Sequence, residues 1–136
     1  MGVAGQAYRF GDAHPGKYSM RRGTIRGCMH AEELAAMLCD ARTRTLALVA
    51  DLTDQQMLGP QLQIVNPPLW EIGHVAWFQE KWAWRHLRGR EPHRENMDAL
   101  YDSAAIPHDV RWELPLPSRQ DTLALMQTVL DDVLEE

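Results

Sequence analysis

Glu71 and His74 stand three residues apart in the run Asn66-Pro-Pro-Leu-Trp-Glu-Ile-Gly-His-Val-Ala-Trp-Phe-Gln-Glu-Lys-Trp82. On a helix that spacing puts both on one face, and Phe78, Lys81 and Arg85 continue the stripe. An imidazole and a carboxylate so placed suit a metal-ligating histidine whose ring the carboxylate orients from behind. They equally suit a histidine hydrogen-bonded at a helix interface and a first-turn acid favoured by the helix dipole. The six histidines are His14, His30, His74, His86, His93 and His108, and no two are three or four residues apart. No ligand pair therefore shares a helix face, and the chain has no self-contained metal motif. His74 and His86 share a helix but are about 18 Å apart at roughly 1.5 Å per residue, too far for one ion. Tyr101, His108 and Arg111 fall on a long proline-containing connection, where binding residues tend to concentrate. The alternative there is a loop pinned by its aromatics and solvated by its charges. No glycine-rich phosphate loop, Ser/His/Asp arrangement or reactive-cysteine context is present.

The element that presents Glu71 and His74 is a helix from about Pro68 to Leu87. Asn66 suits its N-cap, proline is tolerated in its first turn, and Gly89 and Pro92 supply the stop. Its first half is apolar almost all round, so it belongs in the interior, with Trp70 and Trp77 in the core. Lys81, Arg85, Arg88 and Arg90 read as a solvated helix end. An earlier helix spans about Ala31 to Leu52. Leu34, Leu38, Ala41, Thr45, Leu48 and Leu52 form its apolar stripe, widened by Met37, Leu46 and Val49. Cys39 reads there as a small buried hydrophobe. Thr53 to Gln56 is a capping box opening a short turn, and Ser118 to Asp121 a second one opening the last helix. That helix has Leu123, Met126 or Gln127, Leu130 and Leu134 as its apolar line and is still running at Glu136. Residues 89–117 hold at most a helical turn around Met97 to Tyr101, packed onto the domain through Tyr101, Ile106 and Trp112.

These signals predict an all-α fold, an up-and-down four-helix bundle over residues 30–136 whose fourth helix is expected beyond residue 136. Residues 1–29 lack sustained periodicity and read as a mobile leader. A chain of 136 residues suffices for one modest core. The net charge of −5, with basic residues clustered only at Arg21, Arg22 and Arg26, argues against a nucleic-acid partner. No apolar run is long enough to span a membrane, and no secretory signal is visible. The two cysteines form no disulfide framework, and the compartment expected is the cytoplasm.

The run from Asn66 to Lys81, with Trp70, His74 and Trp77-Phe78 in register, resembles the DinB-like domain of the ergothioneine-biosynthesis sulfoxide synthases. The Arg-Thr-Arg-Thr-Leu, Tyr101-Asp-Ser-Ala-Ala-Ile-Pro-His and Leu114-Pro-Leu-Pro-Ser-Arg stretches are similar to that family too. The Trp-Glu-Ile-Gly-His form is closest to the branch containing selenoneine synthases. The resemblance covers roughly residues 40–136. It implies a DinB-like bundle and a mononuclear non-haem Fe(II) enzyme. Such an enzyme uses O₂ to join a thiol or selenol donor to the imidazole carbon of trimethylhistidine. On that reading His74 is one of three iron ligands, the other two being expected beyond residue 136 in an H-x-x-x-H pair. Glu71 then lies behind the ligand, at a position where other members carry histidine. Arg111, with His108 and Tyr101, is the nearest match to the substrate-holding loop. A formylglycine-generating-enzyme-like domain supplies the catalytic tyrosine, so no catalytic residue falls within this chain, which is expected to be inactive alone. Two other readings are a stand-alone helical interaction module and a DinB-type metal-dependent thiol transferase.

Overall fold

The computed structural model describes residues 30–135, and the reading of residues 1–29 as a leader lies outside them. The described residues form five α-helical stretches and no strand: α1 Ala31–Val49, α2 Asp54–Leu58, α3 Pro68–Gln79, α4 Met97–Tyr101 and α5 Arg119–Glu135. A π-helical segment, Glu80–His86, continues α3, and a 3-10 turn spans His108–Trp112. The helix ends at Gly89, whose φ of 64° is open to glycine at little cost. The capping box at Thr53 forms in full, and at Ser118 the hydroxyl caps α5 while donating to the Asp121 carboxylate rather than completing a reciprocal box. Thr53 Oγ1 accepts from Gln56 N–H at 3.3 Å, and Ser118 Oγ accepts from Asp121 N–H at 3.1 Å. Asn66 does not cap α3. Pro67 occupies that position, and the Asn66 side chain is used elsewhere.

The long helices are not arranged up and down. Arg42 of α1 donates to Gln79 and to the Met126 carbonyl, and Arg119 at the start of α5 donates to Val49 O at 2.8 Å at the end of α1. Helix α1 therefore runs antiparallel to both partners. Glu80, just past the end of α3, and Asp132, late in α5, are joined through His93, while Leu69 lies with Leu116 to Arg119 at the other end. So α3 and α5 are parallel. A parallel return must retrace the helix it leaves, about 30 Å for some 20 residues. This accounts for the length of the connection between Gly89 and Ser118.

The core lies mainly between α3 and α5. Leu69, Trp70, Ile72, Ala76 and Trp77 meet Leu125, Met126 and Val129, all buried. Each such aliphatic side chain contributes on the order of 1.5–3 kcal/mol. Helix α1 is turned from its expected orientation: Arg42 and Val49 are its buried residues, while Leu34, Met37, Leu48 and Cys39 are exposed. The apolar stripe read from its sequence thus faces outward in part. Between α1 and α3 it borders a cleft of about 390 Å³ lined by Leu48, Leu52, Ile72 and Val75. On α5 Met126 and Leu130 are buried as the sequence predicts, Thr122, Leu125 and Val129 join them inside, and Leu134 lies at the surface. Among the described residues no helix is long and apolar enough to cross a membrane.

Candidate functional site around His74

The stripe on α3 is polar because the returning connection docks on it. Trp70 Nε1 donates to the Leu100 carbonyl at 2.8 Å, and His74 Nδ1 lies 2.8 Å from the Tyr101 carbonyl. Further along, Trp77 Nε1 donates to Asp98 Oδ1 at 2.6 Å, Lys81 pairs with Asp102 at 2.9 Å, and Arg85 pairs with Asp98 at 2.6 Å. Lys81 and Arg85 are therefore not a solvated helix end. The Arg85 guanidinium, with the Trp77 indole behind it, holds the Asp98 carboxyl below the usual carboxylate range. Leu100 and Tyr101 close the five-residue α4, and a helix leaves its last carbonyls without partners of its own. Two ring N–H groups from α3 satisfy them.

A carbonyl only accepts, so His74 must carry its proton on Nδ1 when neutral, and Nε2 keeps its lone pair. The ring is half-buried and stacks on Trp70, centroids 4.8 Å apart and planes 10° from parallel. Trp77 and Phe78 stand 5.4 and 6.1 Å from it. Glu71 does not support this imidazole: its carboxylate accepts from Asn66 Nδ2 at 2.5 Å, and the Tyr101 carbonyl holds the place at Nδ1.

Arg111 is buried and lies 4.1 Å above the Trp70 ring, the distance of a cation–π contact. It donates to Asn66 Oδ1 at 2.8 Å and to the Ile106 carbonyl at 3.1 Å. These acceptors are neutral, and its Nε is buried without a partner. Asn66 thus relays between Arg111 and Glu71, a role that its reading as a cap concealed. Nothing in the sequence around Asn66 signals this, because its partner Arg111 is 45 residues away. His108 contacts the Val65 carbonyl through Nε2 at 2.6 Å and packs edge-on against Trp112. It secures the loop. Tyr101 is fully buried and offers its backbone carbonyl, not its phenol, to the site. Its side chain is a core wedge and is out of reach of a substrate. His74, Arg111, Asn66 and Glu71 are therefore grouped around Trp70, with Tyr101 and His108 as props. Among the described residues no three His, Cys, Asp or Glu side chains gather to hold a metal.

Residues 37–136 match the family model of the DinB superfamily. The chain is 34% identical over 111 residues to hercynine oxygenase of Mycolicibacterium thermoresistibile, covering 78% of this chain and 24% of that protein. It is 31% identical over 109 residues to hercynine oxygenase of Mycobacterium tuberculosis, covering 76% and 25% respectively. The chain spans about a quarter of the length of these curated relatives.

Proposed function

This chain belongs to the DinB superfamily, and from that premise we propose that it is the helical domain of an iron-dependent, O₂-using enzyme acting on hercynine, the trimethylated histidine. We further propose that the enzyme joins a thiol or selenol donor to the imidazole carbon of that substrate. The names of the two relatives support the substrate class. The observation that carries the assignment to this site is the hydrogen bond from His74 Nδ1–H to the Tyr101 carbonyl. Imidazoles that ligate metals commonly donate their second N–H in this way, which fixes the tautomer and strengthens the donor atom.

His74 fits an Fe(II) ligand through Nε2, and the proposal takes the remaining ligands from outside the described residues. When bound, the iron supplies the activation of O₂. The chain's own residues do the rest. Trp70, Trp77 and Phe78 shield the imidazole and fix its plane. Arg111 provides a desolvated cation suited to a carboxylate of the donor, and Asn66 sets its orientation. Glu71, held by Asn66, places an anion near the cleft beside α1.

His74→Asn tests the reading in protein long enough to supply the other ligands. An asparagine amide can still donate to the Tyr101 carbonyl but offers no imidazole nitrogen, so the fold is expected to persist while iron is lost. Metal analysis showing full iron in a folded His74→Asn protein would overturn the proposal. A second reading, a helical interaction module, draws on the exposed Leu34, Met37 and Leu48 of α1. It expects neither iron nor turnover in the unmutated protein.

A further inference from the structure

Gly73 precedes His74 in the middle of α3, where glycine is less favourable to a helix than alanine. Its site explains the choice. A Cβ built on Gly73 would lie 2.4 Å from Cε1 and Cζ of Tyr101 and 2.5 Å from its hydroxyl oxygen. The Tyr101 ring rests directly on the helix backbone.

We propose that Gly73 is a positioning residue for His74: by admitting the Tyr101 ring against α3, it brings the Tyr101 carbonyl to Nδ1 and so sets the imidazole tautomer. The inference rests on the proposed function only in giving Nε2 a ligand's task. Three features make the coupling rigid. First, Cζ and the hydroxyl oxygen lie on the axis about which the ring flips, so a flip relieves nothing. Second, Tyr101 is fully buried, with its hydroxyl beside Thr122 of α5 and no hydrogen bond of good geometry there. A swing of the ring would enter occupied core, which is packed too densely to yield without cost. Third, the ring and the carbonyl belong to one residue at the end of a short helix. Pushing the ring off α3 therefore withdraws the carbonyl from His74, and the neighbouring Leu100 carbonyl from Trp70.

The test reads the tautomer of His74 in the metal-free 136-residue chain from its ring ¹⁵N shifts in long-range proton–nitrogen NMR spectra. The unmutated chain is expected to show Nδ1–H. Gly73→Ala is expected to shift the ring toward Nε2–H, the tautomer preferred by a histidine side chain with no partner at Nδ1, and to change the Trp70 indole N–H resonance. Gly73→Ala combined with Tyr101→Leu removes the colliding atoms and is expected to restore Nδ1–H. Tyr101→Leu alone should keep it, which guards against Gly73→Ala failing to fold. An unchanged tautomer in folded Gly73→Ala, or loss of Nδ1–H in Tyr101→Leu alone, would overturn the proposal. Because no metal is present, either result leaves the iron assignment to be judged separately by His74→Asn.

Discussion

Trp70 and His74, one helical turn apart, stack nearly parallel and donate their ring N–H groups to the consecutive carbonyls of Leu100 and Tyr101. Two short-range choices on α3 thereby hold a segment some 30 residues further along the chain. Trp70→Phe keeps most of the ring but leaves the Leu100 carbonyl unpaired in a largely buried setting. It is expected to cost about 1–3 kcal/mol. Urea denaturation followed by the remaining tryptophans measures it, and a loss below about 0.5 kcal/mol would show that the hydrogen bond is unimportant.

The sequence signals were strongest where they were local. The capping box at Thr53, the hydroxyl cap at Ser118, the burial of Trp70 and Trp77, and the helical turn at Met97 to Tyr101 all depend on neighbours within a few residues. What was hidden depends on distant partners. Ala41 and Leu48 look like the inward face of α1, yet Arg42 takes the interior because its acceptors, Gln79 and the Met126 carbonyl, are far away in sequence. The parallel course of α5 was hidden for the same reason. Of the site, the helical position of His74 was legible from spacing, whereas its orientation by a carbonyl was not, since a carbonyl has no residue signature. Burial of Tyr101 depends on a missing side chain at Gly73, which periodicity does not register.

Arg42 offers a direct check of the rotated α1. It is 4% exposed, and burial lowers its pKa from the ordinary value. Arg42→Ala is expected to destabilise the chain by about 1–3 kcal/mol through lost hydrogen bonds to Gln79 and Met126. Leu48→Ala, at 80% exposure, should change stability by less than about 0.5 kcal/mol. Thermal or urea unfolding of the two variants side by side decides the matter, and a larger loss for Leu48→Ala would restore the face read from the sequence.

A pH dependence follows from His93. Its Nδ1 lies 2.9 Å from Glu80 Oε1 and its Nε2 contacts Asp132 of α5, with the Trp84 ring 5.3 Å away. Burial opposes its charge, but hydrogen bonds to Asp132 and Glu80 and their charges outweigh that, raising its pKa above 6.5. A raised folded pKa means that the stabilisation is fully present below the unfolded value and is lost as pH rises through the folded one. The unfolding midpoint is therefore expected to fall as pH rises above about 6.5. His93→Gln, which stays neutral, should flatten that slope. Equal slopes in the two proteins would remove His93 as the cause.

The loop-holding contacts of Arg111 can be separated from the donor-binding role proposed for it. It holds the loop through Asn66 and the Ile106 carbonyl, and it supplies a buried cation whose hydrogen-bond acceptors are all neutral. Arg111→Met removes both, so it is expected to destabilise the chain by about 1–3 kcal/mol and to weaken binding of a carboxylate-bearing donor. Arg111→Lys keeps the charge but loses the planar fork that reaches Asn66 and the carbonyls together and lies over Trp70. It should therefore lose stability as well, yet retain part of the affinity for the anion. In protein that turns over, a donor KM raised much more by methionine than by lysine, with kcat changed less, identifies electrostatic holding of the donor. If lysine and methionine raise KM equally, the charge of Arg111 does not serve the substrate, and its place above Trp70 is structural alone.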